Sequence, residues 1–308
     1  ALIANNLLLA VSAFVVFVGT IWPLVAELLF SRKLSVGVPF FDAAFTPFMV
    51  IIAIILPVGA MLPWKRAEVG RTLRQLRGAL ALSVALGLLI FAMQTGRSSL
   101  GPIGTALGAW VVLGAVTDLW ARSGRGSIAS RLARVTRLPR ADWGKALSHS
   151  GLGITIFAVA AITAWSTEDI RVVKVGETFP LGDYEITLQS VYPVEGPNYQ
   201  STTADMLITK AGSEVTVLHP EKRFYPVAGM PTTEAAISQG FSHDIYVVIG
   251  DAQDAGGYAV RTYIKPFADW IWGGTLMMAL GGMFSLSDRR FRVAAGARPT
   301  PQAHVAAE

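Results

Sequence analysis

Six long apolar runs constrain this chain more than any other feature of it. A helix needs about 20 consecutive apolar residues to cross a bilayer core. Residues 2–30, 44–63, 79–94, 103–119, 146–165 and 267–286 approach or exceed that length. Backbone in hydrocarbon must satisfy its own hydrogen bonds, so such runs are helices. Only residues 95–102 separate the third run from the fourth, which predicts a tight turn there. Composition agrees. Of 308 residues, 52% are hydrophobic and 15% charged, too little charge to cover a soluble domain of this size.

Lys and Arg set the orientation of such a chain, being retained on the cytoplasmic side. The segment after the second run holds Lys65, Arg66, Arg71, Arg74 and Arg77. The segment after the fourth holds Arg122, Arg125, Arg131, Arg134, Arg137, Arg140 and Lys145. The tail after the sixth holds Arg289, Arg290, Arg292 and Arg298. These three segments alternate so as to share one side. The opposite short loops carry only Arg32, Lys33 and Arg97. The basic balance, pI about 9.6, is therefore that of membrane topology, and no nucleic-acid partner is expected. Trp64, Trp120, Trp143, Trp165, Trp270 and Trp272 fall near predicted helix ends, as an interfacial aromatic belt does.

Residues 167–265 are built differently. Runs 170–175, 184–192, 206–210, 214–219, 244–250 and 258–265 alternate or are β-branched, and glycine-containing turn signals separate them. They predict a small antiparallel β domain, a partly closed barrel being one form, with a short helix over 232–239. Its carboxylates, among them Glu168, Asp169, Glu177, Asp183 and Glu185, put it on the outer side. The expected organisation is therefore an α-helical polytopic membrane protein of six transmembrane helices with an inserted antiparallel β domain. Helices one to five occupy 1–166, the β domain 167–265, the last helix 266–287 and a cytoplasmic tail 288–308. The first thirty residues lack a basic leader and a cleavage site, so they are not read as a signal peptide. A first residue other than Met is expected of a processed chain or part of a longer one.

There is no cysteine, hence no disulfide, thiolate site or thioether-bound haem of the chain's own. No HExxH, GxSxG, P-loop or dinucleotide fingerprint occurs. Four histidines remain: His149, His219, His243 and His304. His304 lies in the tail, His219 opens the mixed-charge run His219–Pro226, and His243 precedes a strand. His149 lies inside the fifth apolar run, where an ionisable residue is costly and commonly functional. Ala146 and Gly153 share its helical face. A flat macrocycle could lie there with an imidazole nitrogen on its iron, and Lys145 and Arg140 could meet its carboxylates. Close helix packing through small residues accounts for the same face. The residues alone leave both open. Asn5, Asn6, Glu27 and Asp118 could line a cavity, but capping helices or reaching the interface is the favoured reading.

Several stretches then carry a likeness. They are Asn5-Asn6-Leu7-Leu8-Leu9, Gly19-Thr20-Ile21-Trp22-Pro23-Leu24, Ser35-Val36-Gly37 with Pro39-Phe40-Phe41, and His149-Ser150-Gly151. Pro220-Glu221-Lys222-Arg223-Phe224-Tyr225 is the most distinctive, followed by Glu234-Ala235-Ala236-Ile237, the run from Asp244 to Asp251, and Lys265-Pro266-Phe267 with Trp270-Ile271-Trp272-Gly273-Gly274. From about Asn5 to about Arg290 the chain resembles the C-terminal half of CcmF-type cytochrome c haem lyases of bacterial cytochrome maturation. The resemblance implies a bacterial inner-membrane protein with its β domain periplasmic. It implies help in moving haem, a transient substrate, from a periplasmic haem chaperone to the Cys-x-x-Cys-His thiols of apocytochrome c. It implies a resident b-type haem with His149 as an axial ligand to the iron. The partners implied are the N-terminal half of the same protein, the haem chaperone, apocytochrome c, and thiol-reducing and apocytochrome-binding maturation subunits. The family's tryptophan-rich periplasmic segment, its two flanking histidines and its second transmembrane histidine have no counterpart here and would lie upstream of Ala1. This chain alone is therefore expected to be inactive as a haem lyase. A non-catalytic scaffold that recruits partners through the β domain, and a transporter, are the alternatives.

Overall fold

A computed structural model of the protein describes residues 2–62, 69–94, 98–254 and 256–288. Trp64, Lys65, Arg66, Arg97, His304 and the tail arginines lie outside the described residues. Contacts divide the chain into two compact units. One takes described residues from Ala1–Leu86, Ala106–Ile154 and Gly274 onward, the other from Gly87–Thr105 and Thr155–Gly273.

The apolar runs lie in helices, and the described helices are α1 (Leu2–Phe30), α2 (Val38–Ala44), α3 (Thr46–Met61), α4 (Val69–Met93), α5 (Leu100–Arg122), α6 (Ile128–Val135), α7 (Arg140–Trp165) and α8 (Asp269–Leu286). Four of them, α1, α4, α5 and α7, are long and apolar enough to cross a membrane. The pair α2 and α3, bent by 44° at its break, would make a fifth if it is one span. The second run begins near this break, where prolines stand in the first turns of both helices. A first-turn proline suits a helix start because its missing N–H would be unpaired there anyway.

Two helices start earlier than the apolar runs predict. α4 begins at Val69, so Arg71, Arg74 and Arg77 lie on it and not in a loop. α7 begins at Arg140, which places His149 about two and a half turns in. Lys and Arg are good helix formers, so a helix continues past the point where its hydropathy ends. α6 lies within the basic segment after the fourth apolar run. Ser127 caps it, accepting the Ser130 N–H at 3.4 Å.

In the first unit, α7 and α8 meet along glycines. A Cβ on Gly144 would lie 2.6 Å from Ser285 N, and one on Gly281 2.6 Å from Ser148 N. One on Gly151 would collide with the Gly274 carbonyl and lie 2.9 Å from Met278 N. The Ser148 hydroxyl donates across the seam to Met278 O at 3.1 Å. Gly114 of α5 leaves room in the same way for Pro57 of α3, whose Cγ would be 2.8 Å from an added Cβ. Small residues thus let backbones approach, the usual device of helices that cannot use a hydrophobic driving force in lipid.

In the second unit, ten strands form two antiparallel sheets. β1 (Thr167–Val173), β8 (Ala236–Ser238), β9 (His243–Ala252) and β10 (Tyr258–Pro266) form one, in the order β1-β10-β9-β8. β2 (Thr178–Leu181), β3 (Tyr184–Glu195), β4 (Gln200–Lys210), β5 (Ser213–Leu218), β6 (Glu221–Tyr225) and β7 (Met230–Glu234) form the other, in the order β2-β3-β4-β6-β7. β5 and β6 pair with successive parts of the same edge of β4: β5 with 206–210, β6 with 200–203. Alternate residues of both sheets enclose one core, including Phe179, Ile186, Leu188, Met206 and Ile208 from one and Val173, Val247, Ile249 and Val260 from the other. Among the described residues no ladder joins the two sheets. The helix expected over 232–239 is instead β7 and β8, which belong to different sheets. Thr232 and Thr233 are β-branched and pair with Arg223 and Lys222, while Ile237 pairs with Tyr246. Ladder pairing across sheets overrides the helical spacing of the short Glu-Ala-Ala-Ile run.

The chain leaves β10 through Phe267, a non-glycine residue at φ 55°. Its N–H donates to Ser242 O at 2.9 Å, and its ring packs against Phe157 at 5.0 Å and Trp270 at 5.2 Å. These contacts hold a left-handed conformation that a bulky residue seldom adopts.

Candidate functional site

His149 is half-buried on α7 and faces a cavity of about 480 Å³. The cavity lies within the first unit. Its walls are apolar residues of α3, from Ile54 to Ala60, with Ala4 and Asn5 of α1. Lys145, one turn before His149, completes it. Among the described residues neither ring nitrogen of His149 has a hydrogen-bond partner.

The small residues on the His149 face serve helix packing. A Cβ on Gly153 would lie 2.6 Å from Gly108 O and 2.7 Å from Val112 Cγ2, so α5 fills that side. Ala146 is buried. The open side of His149 is instead the one toward α1 and α3.

Beside the cavity stands a charge cluster that hydropathy did not reveal. Asp118 of α5 is 5% exposed. It pairs with Lys145 Nζ and, at 3.2 Å, with Arg122 Nε. Arg122 continues to Asp142 at 2.9 Å, and Lys145 also donates to Ala60 O at 3.3 Å. Lys145 is thus committed within the protein and not waiting for a ligand carboxylate. The only sequence signal for the pair was an acid and a base each lying at the margin of an apolar run.

The other described histidines are tied into the β domain. His243 Nε2 meets the Tyr184 hydroxyl at 2.7 Å, and its Nδ1 meets Ser242 Oγ at 2.9 Å. His219 Nδ1 donates to Asp205 Oδ1 at 2.8 Å. Asp205 also accepts from Ser190 Oγ at 2.6 Å and the Tyr192 hydroxyl at 3.1 Å. The Ser190 bond above all, with those of His219 and Tyr192, holds the Asp205 carboxyl below the ordinary carboxylate value. A carboxylate whose pKa is lower folded than unfolded adds stability above its unfolded pKa and loses it as pH falls through the folded one. Asp205→Asn should therefore weaken the β domain at neutral pH by no more than about 1 kcal/mol at so solvated a site. The difference from the parent should shrink below about pH 4. Chemical denaturation followed by near-ultraviolet circular dichroism at both pH values checks this. A deficit independent of pH would assign the loss to packing.

Among the described residues no three His, Asp or Glu side chains gather to hold a metal ion. What the His149 cavity offers is one imidazole nitrogen in an apolar setting. Its volume lies in the range of cofactor sites, roughly 300–1,000 Å³. That donor set fits one face of a large apolar macrocycle with a ligatable iron. A second axial donor is not supplied by the described histidines, since His219 and His243 are engaged elsewhere.

Comparison with known proteins gives a consistent picture. The family model described as the CcmF C-terminal beta-sandwich matches residues 164–266. The chain is 55% identical over 309 residues to the cytochrome c-type biogenesis protein ccl1 of Rhodobacter capsulatus, covering 100% of this chain and 47% of that protein. It is 36% identical to the cytochrome c-type biogenesis protein CcmF of Escherichia coli K12, covering 94% of this chain and 44% of the other. A solved structure of the cytochrome c heme lyase CcmF has the same fold, with a TM-score of 0.68 at 24% identity over 92% of this chain and 44% of that one. The chain spans about half the length of the curated relatives it matches.

Proposed function

We propose that this chain, which belongs to the CcmF/Ccl1/CycK family of cytochrome c-type biogenesis proteins, is the C-terminal part of a cytochrome c haem lyase in which His149 supplies one axial ligand to a membrane b-type haem. The observation that carries this is the His149 imidazole, unpaired among the described residues and directed at an apolar cavity. Such a nitrogen is free to ligate iron. The second ligand comes from the N-terminal half of the protein.

A b-type haem, when bound, supplies one-electron redox chemistry. The chain's own residues do the rest. α3 and the start of α1 exclude water from the His149 side of the cavity. The cluster of Asp118, Lys145, Arg122 and Asp142 pairs two carboxylates with two cations, so it adds no net charge beside the cavity. Six spans are formed by α1, the α2–α3 pair, α4, α5, α7 and α8. Their basic segments face the cytoplasm and the β domain lies in the periplasm of the bacterial inner membrane. There the β domain meets the haem chaperone, apocytochrome c with its Cys-x-x-Cys-His thiols, and the thiol-reducing and apocytochrome-binding subunits.

The test is the haem content and visible spectrum of the protein with its N-terminal half present, parent against His149→Gly, with and without added imidazole. Haem should fall in the variant and return with imidazole, which can occupy the space vacated by the side chain. An unchanged content and spectrum would make His149 a packing residue. Loss of haem with retained capture of apocytochrome would separate haem retention from partner recruitment.

A further inference from the structure

The short helix α6 joins two helices that are each long and apolar enough to cross a bilayer. α5 ends at Arg122 and α7 begins at Arg140, so α6 is tethered within a few residues of a bilayer edge on both sides. It is amphipathic: Ile128, Leu132 and Val135, spaced i, i+4 and i+7, form one face.

That apolar face does not hold α6 in place. Its arginines do. Arg131 donates through Nη2 to Trp120 O at 2.7 Å and through Nε to Ser123 Oγ at 3.0 Å, and its guanidinium lies 4.0 Å from the Trp120 ring centroid. Arg134 Nε donates to Ser123 O at 2.6 Å. These bonds satisfy carbonyls at the end of α5, where a helix leaves them unpaired. Trp143 Nε1 in turn donates to Val135 O at 3.0 Å. The helix is thus fixed with its apolar edge outward: Ile128 is 72% exposed and Leu132 54%.

Charge identifies what covers that edge. Residues 121–141 hold six arginines and no aspartate or glutamate. Arg122 is paired with Asp118 and Asp142. Among the described residues Arg125, Arg137 and Arg140 have no carboxylate partner. An apolar edge flanked by free guanidinium groups and held at the membrane rim matches an anionic phospholipid surface. The side chains reach the acyl boundary while the guanidinium groups meet phosphate. We infer that α6 is an interfacial anchor that lies on anionic phospholipid headgroups, with Ile128 and Leu132 inserted. This does not rest on the haem assignment.

The chain has no cysteine, so a nitroxide can be placed singly at Leu132→Cys or, on the other side of the helix, at Ala133→Cys. The whole chain is reconstituted in vesicles of phosphatidylcholine alone or with added phosphatidylglycerol. In the mixed vesicles the label at 132 should be open to oxygen and shielded from a water-soluble nickel chelate, with the label at 133 the reverse. Shielding at 132 should weaken in phosphatidylcholine alone and on changing Arg125, Arg137 and Arg140 together to Gln. Equal nickel access at both positions in mixed vesicles would overturn the assignment. So would shielding that ignores both lipid charge and the arginines, which would leave apolar contact alone. Shielding present in native membranes but absent from every vesicle would point to a protein occupant, and also overturns it.

Discussion

Asp118→Leu should destabilise the helical unit by about 3 kcal/mol, and Asp118→Leu combined with Lys145→Met should regain most of that loss. Asp118 is almost wholly enclosed and is the carboxylate that Lys145 and Arg122 share. Removing it affects the two cations unequally. Arg122 keeps Asp142 at 2.9 Å, whereas Lys145 keeps only a neutral carbonyl, Ala60 O at 3.3 Å. An ammonium group without a counter-charge beside an apolar cavity carries a desolvation cost that nothing offsets. Taking away the ammonium as well removes that cost, which is why the double variant should recover. Thermal unfolding in detergent, with helix loss followed by far-ultraviolet circular dichroism, gives the four corners of the cycle. A double variant no more stable than Asp118→Leu would show that the aspartate acts by packing. In that case the pair does not keep the His149 cavity electrically neutral.

Gly151→Leu should separate α7 from α8, at a cost of about 3 kcal/mol, the upper part of what overpacking a filled interface usually exacts. A side chain at 151 would meet backbone: the Gly274 carbonyl, and Met278 N at 2.9 Å. Backbone cannot move aside as the end of a flexible side chain can. Gly282→Leu, on the same helix as Gly274, is the control, because nothing lies within 4 Å of its Cβ position. There the exchange should be neutral or slightly stabilising, since leucine forms helix better than glycine does by up to roughly 1 kcal/mol. A cysteine-free chain also permits a direct readout: Ser148→Cys with Met278→Cys should cross-link in the parent background and fail with Gly151→Leu. Cross-linking and unfolding both unchanged by Gly151→Leu would mean the helices do not depend on this seam.

Both variants bear on α7, one through the partner of its Lys145 and the other through its Gly151. His149 stood out as an ionisable residue in an apolar run, and the resemblance gave it a role. Which of its sides is open was not legible: Gly153 pointed to a flat ligand or to a helix, and the structure puts α5 there. Asp118 and Lys145 were each visible but unconnected, because they are 27 positions apart and no periodicity records which helices face each other. Hydropathy located the helices but misplaced the starts of α4 and α7, since basic residues leave the apolar pattern without leaving the helix. α6 was hidden for the same reason, its polar face being made of arginines.

In the β domain, alternation marked most of β3, β9 and β10. The same signal failed for 232–239, which divides between strands of different sheets.

The order of residues by itself determined the apolar runs, the clustering of the basic residues beside them, the presence of a β domain and the one histidine within a run. These depend on transfer from water and on local backbone preference, which act over a few neighbours. Only the tertiary structure decided the glycine contacts of α7 and α8, the Asp118–Lys145 pair, the separation of β7 from β8 and the cavity at His149. Each of these is a contact between distant residues, whose energy exists only once both surfaces have been brought together and closed to solvent.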